Sequence, residues 1–145
     1  MAIPIARQPP HPDPEASAPK ILTVDEVSIT IPASPQYVGV IRLVAAGLAA
    51  RQGFSLDESE DLKIAVDELS AYVTGAQGRP GFLEVIFSLD GDCISFRGYG
   101  RLEEPEEVRT NLTELSRMIL ETVTESASLG RVGDTPTFHA SKAHV

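Results

Sequence analysis

Two successive stretches with apolar residues at helical spacing, followed by two β-rich runs on either side of a glycine turn, constrain this chain more than any other feature. In the first, Tyr37, Val40, Ile41, Val44 and Leu48 fall at i, i+3, i+4, i+7 and i+11, one inward stripe of a helix. Gly39, Arg42, Ala46 and Ala50 lie opposite. Ser34 offers an N-cap with Pro35 at the first helical position, and Gly53 a C-terminal break. In the second, Leu62, Ala65, Val66, Leu69 and Val73 repeat the stripe behind Asp57 and Glu60, which stand at capping-box spacing, and the helix ends near Gly75. The loop Gly78 to Gly81 then leads into Phe82 to Leu89 and Cys93 to Tyr99, a hairpin turning through Asp90, Gly91 and Asp92.

The flanks complete the order. Ile21, Thr23, Asp25, Val27, Ile29 and Ile31 alternate as in a half-exposed strand. Glu103 to Glu125 reads as a loop entering a third helix, with Leu112, Leu115, Ile119, Thr122 and Val123 inward, and with Glu104, Glu106 and Glu107 near its N-terminus, where the helix dipole favours acids. Thr135 to Lys142 reads as a last strand. Strand, helix, helix, strand, strand, helix, strand packs most economically as an α+β, two-layer sandwich: a mixed, mostly antiparallel sheet with the helices on one face. Residues 1–20 hold six prolines and little apolar content, a composition that cannot offset chain entropy by burial, and read as a disordered tail ahead of a domain over 21–145.

Composition narrows the function. With 145 residues, 42% of them hydrophobic, the chain has room for one domain with a single core. Twelve Lys and Arg against 21 Asp and Glu leave a charge of -9, which repels a phosphate backbone and argues against direct nucleic-acid binding, while suiting a basic protein partner. Cys93 is the only cysteine, so no internal disulfide and no multi-cysteine metal site can form, which fits a reducing, cytoplasmic setting. No apolar run approaches the ~20 residues of a membrane span, and no signal peptide is visible. His11, His139 and His144 have no metal-ligand spacing, and neither a metal site nor a Ser, His, Asp triad is expected. Cys93 in a strand reads as a small apolar residue.

At about 100° per residue, Asp61, Glu68 and Tyr72 share one edge of the second helix, where a half-buried carboxylate can line a cleft; a solvated side chain is the commoner fate. Arg42 opposite the first stripe is open to close approach, and an ordinary solubilising arginine fits the position equally.

The stretch "IPASPQYVGVIRLVAAGLAARQGF", followed by "EDLKIAVDEL" and later by "FRGYG" and "GDTPTFHASK", resembles the anti-sigma-factor serine kinases (RsbW and SpoIIAB type) of the GHKL, or Bergerat-fold, ATPase superfamily. The resemblance implies that Glu68 is the general base for a substrate serine if the chain is an active kinase. It places Tyr72 where relatives carry the Asn that holds the Mg²⁺ of ATP, and a phenol is a poor ligand for that cation. It aligns Phe96, Gly98 and Gly100 with a motif whose Asp binds the adenine amine and whose glycines admit the nucleotide; Phe96 replaces the Asp, an unpaired amine costing roughly 1 to 3 kcal/mol. For the two glycines a tight loop after a strand fits as well. Arg101 to Leu129 contains no glycine, so the phosphate-binding lid of such relatives lacks its amide cradle. By the same register Arg42 falls at the arginine that contacts sigma factor and its antagonist.

The expected function is therefore an anti-sigma-factor-like regulator of transcription that binds a sigma factor or an anti-sigma-factor antagonist, with lost or weak ATP binding, no cofactor, and room for a homodimer. The alternative is a working serine kinase that uses Mg-ATP and Glu68. A third reading is a scaffold with no sigma link, its pocket plugged by Tyr72 and Phe96 or holding another small molecule.

Overall fold

The computed structural model describes residues 25–145; the Pro-rich segment 1–20 and the expected strand residues Ile21 and Thr23 lie outside them. In chain order come β1 (Asp25–Pro32), α1 (Val38–Arg51), α2 (Leu56–Thr74), β2 (Gly81–Asp90), β3 (Cys93–Leu102), α3 (Glu114–Val123), β4 (Ser126–Val132) and β5 (Thr135–Ala143). The strands form one sheet in the order β1-β2-β3-β5-β4, and every neighbouring pair is antiparallel. This is the α+β two-layer sandwich expected, with a wholly antiparallel sheet in place of a mixed one. Alternate residues of the central strands, among them Leu83, Val85, Phe87, Ile94, Phe96 and Phe138, join Ile41, Ala45, Leu62, Leu69 and Leu120 of the helices in a single core. Phe96 sits between Phe87 (centroids 5.7 Å apart, planes at 52°) and Phe138 (6.0 Å, 79°), tilted contacts that suit the aromatic quadrupole.

The α2 stripe is buried throughout, and Gly75 caps the helix with φ 67. Its capping box is Ser55 with Glu58, not Asp57 with Glu60: the Glu58 amide donates to Ser55 Oγ at 3.1 Å, and the Ser55 amide to Glu58 Oε1 at 2.7 Å. The α1 stripe is rotated from the expected one. Val38, Ile41, Ala45 and Ala49 are buried, Val44 and Leu48 flank them, and Tyr37 and Val40 are exposed. Apolar residues surround this helix, so periodicity alone marks no face, and the small side chains turn inward where α1 must lie close to its neighbours. Ser34 makes no cap bond; Pro35–Tyr37 is a 3-10 turn and the α-helix starts at Val38.

Three further expectations change. The helix α3 buries Ser116, Leu120 and Val123, while Leu115 is 67% exposed and Thr122 is also exposed. Its N-cap is Thr113, whose hydroxyl accepts from the Ser116 amide. Glu104, Glu106 and Glu107 lie around the earlier 3-10 turn Pro105–Glu107, outside the first turn of α3, and repulsion from Glu107, then burial and Glu106, pushes the Glu104 carboxyl up. Finally β4 was not expected: Ser126–Val132 has small residues and serines, and it becomes a strand by pairing with β5 across a turn in which Gly133 takes φ 61.

Candidate functional site

The edge of α2 carrying Asp61, Glu68 and Tyr72 is half-buried along its length, because α3 and β5 pack beside it. Asp61 accepts from Lys142 Nζ of β5 at 3.0 Å. One turn and more further on, a chain of hydroxyls joins α2 to the first turn of α3. The Thr113 amide donates to Tyr72 Oη at 2.9 Å, the Tyr72 hydroxyl donates to Ser116 Oγ at 2.8 Å, and Ser116 donates to Glu68 Oε2 at 2.6 Å. Thr113 adds a second donor to Ser116 Oγ at 3.0 Å. Burial opposes ionisation of the Tyr72 phenol, but its hydrogen bonds with Ser116 and Thr113 outweigh it and hold the phenol below its ordinary value. A carboxylate that receives a serine hydroxyl at this distance has the geometry of a general base, and here the hydroxyl is the chain's own.

The other residues of the expected nucleotide site serve the core. Phe96 is 1% exposed. A Cβ on Gly98 would fall 2.1 Å from Phe138 Cζ, and one on Gly100 would fall 3.0 Å from Val73 Cγ1, so both glycines admit a neighbouring side chain. Ser116 and Thr113, the partners of Glu68 and Tyr72, were not anticipated from sequence. Their signal was a cap-forming Thr three residues ahead of Ser116, eclipsed by the acids at 104–107.

Arg42 lies apart, on the outer side of α1. Its Nη1 stands 2.7 Å from Asp67 Oδ1 of α2, with both side chains nearly half exposed, so the pair orients the guanidinium more than it stabilises the fold. A Cβ on Gly39 would come within 3.2 Å of Arg42 Nη2; the glycine leaves the guanidinium its room. Two open grooves flank the arginine. One, of about 400 Å³, runs along Pro35, Val38, Ala71 and Thr74; the other, of about 420 Å³, along Gln36, Val40, Leu43 and Lys63. Leu43 is 73% exposed and Val40 44%, a small apolar patch around one charge. The Cys93 thiol, on β3, is pushed up by burial, then by Glu125 and Asp90, which disfavours a nucleophilic thiolate. Among the described residues no three His, Cys, Asp or Glu side chains converge as a metal site, and no helix is long and apolar enough to cross a membrane.

The fold and these surfaces define a two-layer α+β protein with a hydroxyl-carboxylate contact between two helices and an arginine-centred patch on a third. No family model matches the chain. Among curated proteins it is similar to serine-protein kinase RsbW of Bacillus subtilis (strain 168), 40% identical over 86 residues, which cover 50% of this chain and 54% of the relative. RsbW of Bacillus velezensis is 52% identical over 88 residues (51% and 55%), and RsbW of Bacillus pumilus 56% over 77 residues (50% and 48%). The chain spans about half the length of the curated relatives it matches.

Proposed function

We propose that this chain is a regulatory binding protein of the anti-sigma-factor type, which engages a sigma factor or an anti-sigma-factor antagonist through the α1 surface around Arg42 and binds Mg-ATP weakly or not at all. The observation that carries the reading is that surface: a half-exposed arginine, held by Asp67, between the exposed apolar side chains of Val40 and Leu43. Such a charged anchor among apolar contacts is typical of interface hot spots. Similarity to proteins named serine-protein kinase RsbW supports a place in the same regulatory chemistry.

The residues present do not suit a magnesium nucleotide. Tyr72 offers a phenol already committed to Ser116, Phe96 is enclosed by two aromatic rings, and the Phe138 ring lies over Gly98. Calorimetry with Mg-ATP is expected to give no heat of binding at millimolar nucleotide. Arg42→Glu is expected to abolish capture of the partner while leaving the melting temperature unchanged; undiminished partner affinity in this variant would refute the assigned surface. One observation favours the kinase reading instead, the 2.6 Å contact by which Glu68 holds a serine hydroxyl. Tight, magnesium-dependent ATP binding that Glu68→Gln leaves intact, together with phosphoryl transfer that it abolishes, would establish that reading.

A further inference from the structure

We propose that the open edge of β4 is a docking site for an extended segment of a partner protein, one that turns a carboxylate toward Arg117. Among the described residues β4 is the last strand of the sheet, with β5 on one side only. In an antiparallel pair alternate residues direct their N–H and C=O groups to the neighbour and the others outward, so β4 presents a row of backbone donors and acceptors. Edges of this kind are usually blunted by Pro, Lys or inward-pointing charges. The opposite edge, β1, follows that practice: it starts with Asp25 and Glu26 and ends on Pro32. From Ser126 to Val132 there is no Pro, Lys, Asp or Glu. The one charge, Arg131, is folded back onto the carbonyls of Pro105 (3.0 Å), Val108 (2.6 Å) and Asp134 (3.2 Å). In a chain of formal charge -9 this edge is therefore a stripe without acids, its single cation tied to backbone carbonyls.

A groove runs beside the strand between β4 and α3. One part, of about 270 Å³, is lined by Thr110, Asn111, Leu112, Arg117 and Leu129; the adjoining part, of about 170 Å³, by Leu120, Glu121 and Glu125. Leu112, Arg117 and Ala127 line both. A strand added to β4 would alternate its side chains, every second one falling on the side where α3 lies. There Leu112 and Ala127 offer an apolar floor. Arg117 is exposed, stands where the two parts of the groove join, and enters none of the ion pairs found among the described residues. The larger part, beside Thr110 and Asn111, holds no acid, whereas the smaller carries Glu121 and Glu125. This arrangement suits a segment whose carboxylate reaches Arg117 from the larger part and whose residue over Glu121 is neutral or basic. Main-chain bonds to β4 supply affinity and the groove supplies specificity, the mode of strand addition. The surface is separate from α1 and does not depend on the role assigned to Arg42.

The test is selection of a displayed library of short random peptides on the full chain, followed by amide hydrogen exchange with the best peptide bound. The enriched peptides are expected to share one acidic position and to slow exchange in β4. Arg117→Glu is expected to weaken the selected peptide about tenfold, and selection on that variant to enrich a basic residue at the same position. Failure to enrich any peptide, enrichment without an acidic position, or protection of α1 in place of β4 overturns the proposal. Protection of β4 that rises with protein concentration in the absence of peptide overturns it in favour of pairing between two copies of this chain.

Discussion

At Gly98 the absence of one methyl group decides how the core is filled. The Phe138 ring occupies the place where a Cβ would stand, with three ring carbons within 2.5 Å of it, and the same ring meets the edge of Phe96. Gly98→Ala must displace an aromatic ring in a close-packed interior, and it is expected to lower unfolding free energy by roughly 1 to 3 kcal/mol in urea titration. An unchanged midpoint would show that the ring can move aside without loss. Tyr72 poses the complementary case, a side chain whose polar end is the point of contact. Tyr72→Phe keeps the ring but strips the Thr113 amide of its acceptor and Ser116 of one of its two donors; a loss of roughly 0.5 to 1.5 kcal/mol is expected, the net contribution of a hydrogen bond whose partners keep other contacts. Amide exchange should rise in the first turn of α3 more than elsewhere, which separates this contact from general loosening.

At the level of elements, the N-terminus of α2 is tied to the end of the chain through one carboxylate. Glu58 closes the capping box with Ser55, accepts the Val145 amide at 2.9 Å and meets His144 Nδ1 at 2.7 Å, while the His144 ring stacks on Phe54. The Ser55 backbone, then the Val145 backbone, then His144 hold its pKa down, from 4.5 to about 2. A depressed carboxylate pKa contributes stability above the unfolded value, and that contribution is lost as pH falls through the folded one. Stability is therefore expected to drop between about pH 4.5 and about pH 2. Glu58→Gln should flatten that slope, as measured by thermal melts across the window. A slope the same in both proteins would mean that another carboxylate carries the acid transition. The elements also show what periodicity can and cannot decide. The α2 stripe was legible because its apolar residues are few enough to mark one face. That of α1 was not, because Tyr37, Val40 and Leu43 are apolar and exposed. Val40 and Leu43 form part of the proposed partner surface, so the misread face and the candidate site overlap.

For the molecule as a whole, one continuous core joins both layers, with residues from four of the five strands and all three helices. Such a core predicts a single cooperative unfolding transition, in which circular dichroism of the backbone and fluorescence of the tyrosines change together. Two separated transitions would contradict it. Among the described residues the sheet order β1-β2-β3-β5-β4 also leaves one face and two edges of the sheet uncovered, and the edges differ in charge: acids and a proline at β1, a single arginine at β4. Hence the surfaces available for recognition lie at opposite ends of the layer, α1 near one and the α3–β4 groove near the other.

By itself, the sequence determined what depends on neighbours along the chain: the stripe of α2, the hairpin through Gly91, the breaks at Gly53 and Gly75, and the two-layer class that this order of elements requires. Local spacing also set Asp61, Glu68 and Tyr72 on one edge. Only the tertiary structure decided what that edge touches, because Ser116 and Thr113 lie more than 40 positions away and no local period relates them to α2. It also decided that Phe96 and Gly98 belong to the core, and that Ser126–Val132 is a strand. Each of these outcomes rests on contact between segments remote in sequence, where packing and pairing outweigh the intrinsic preference of the residues concerned.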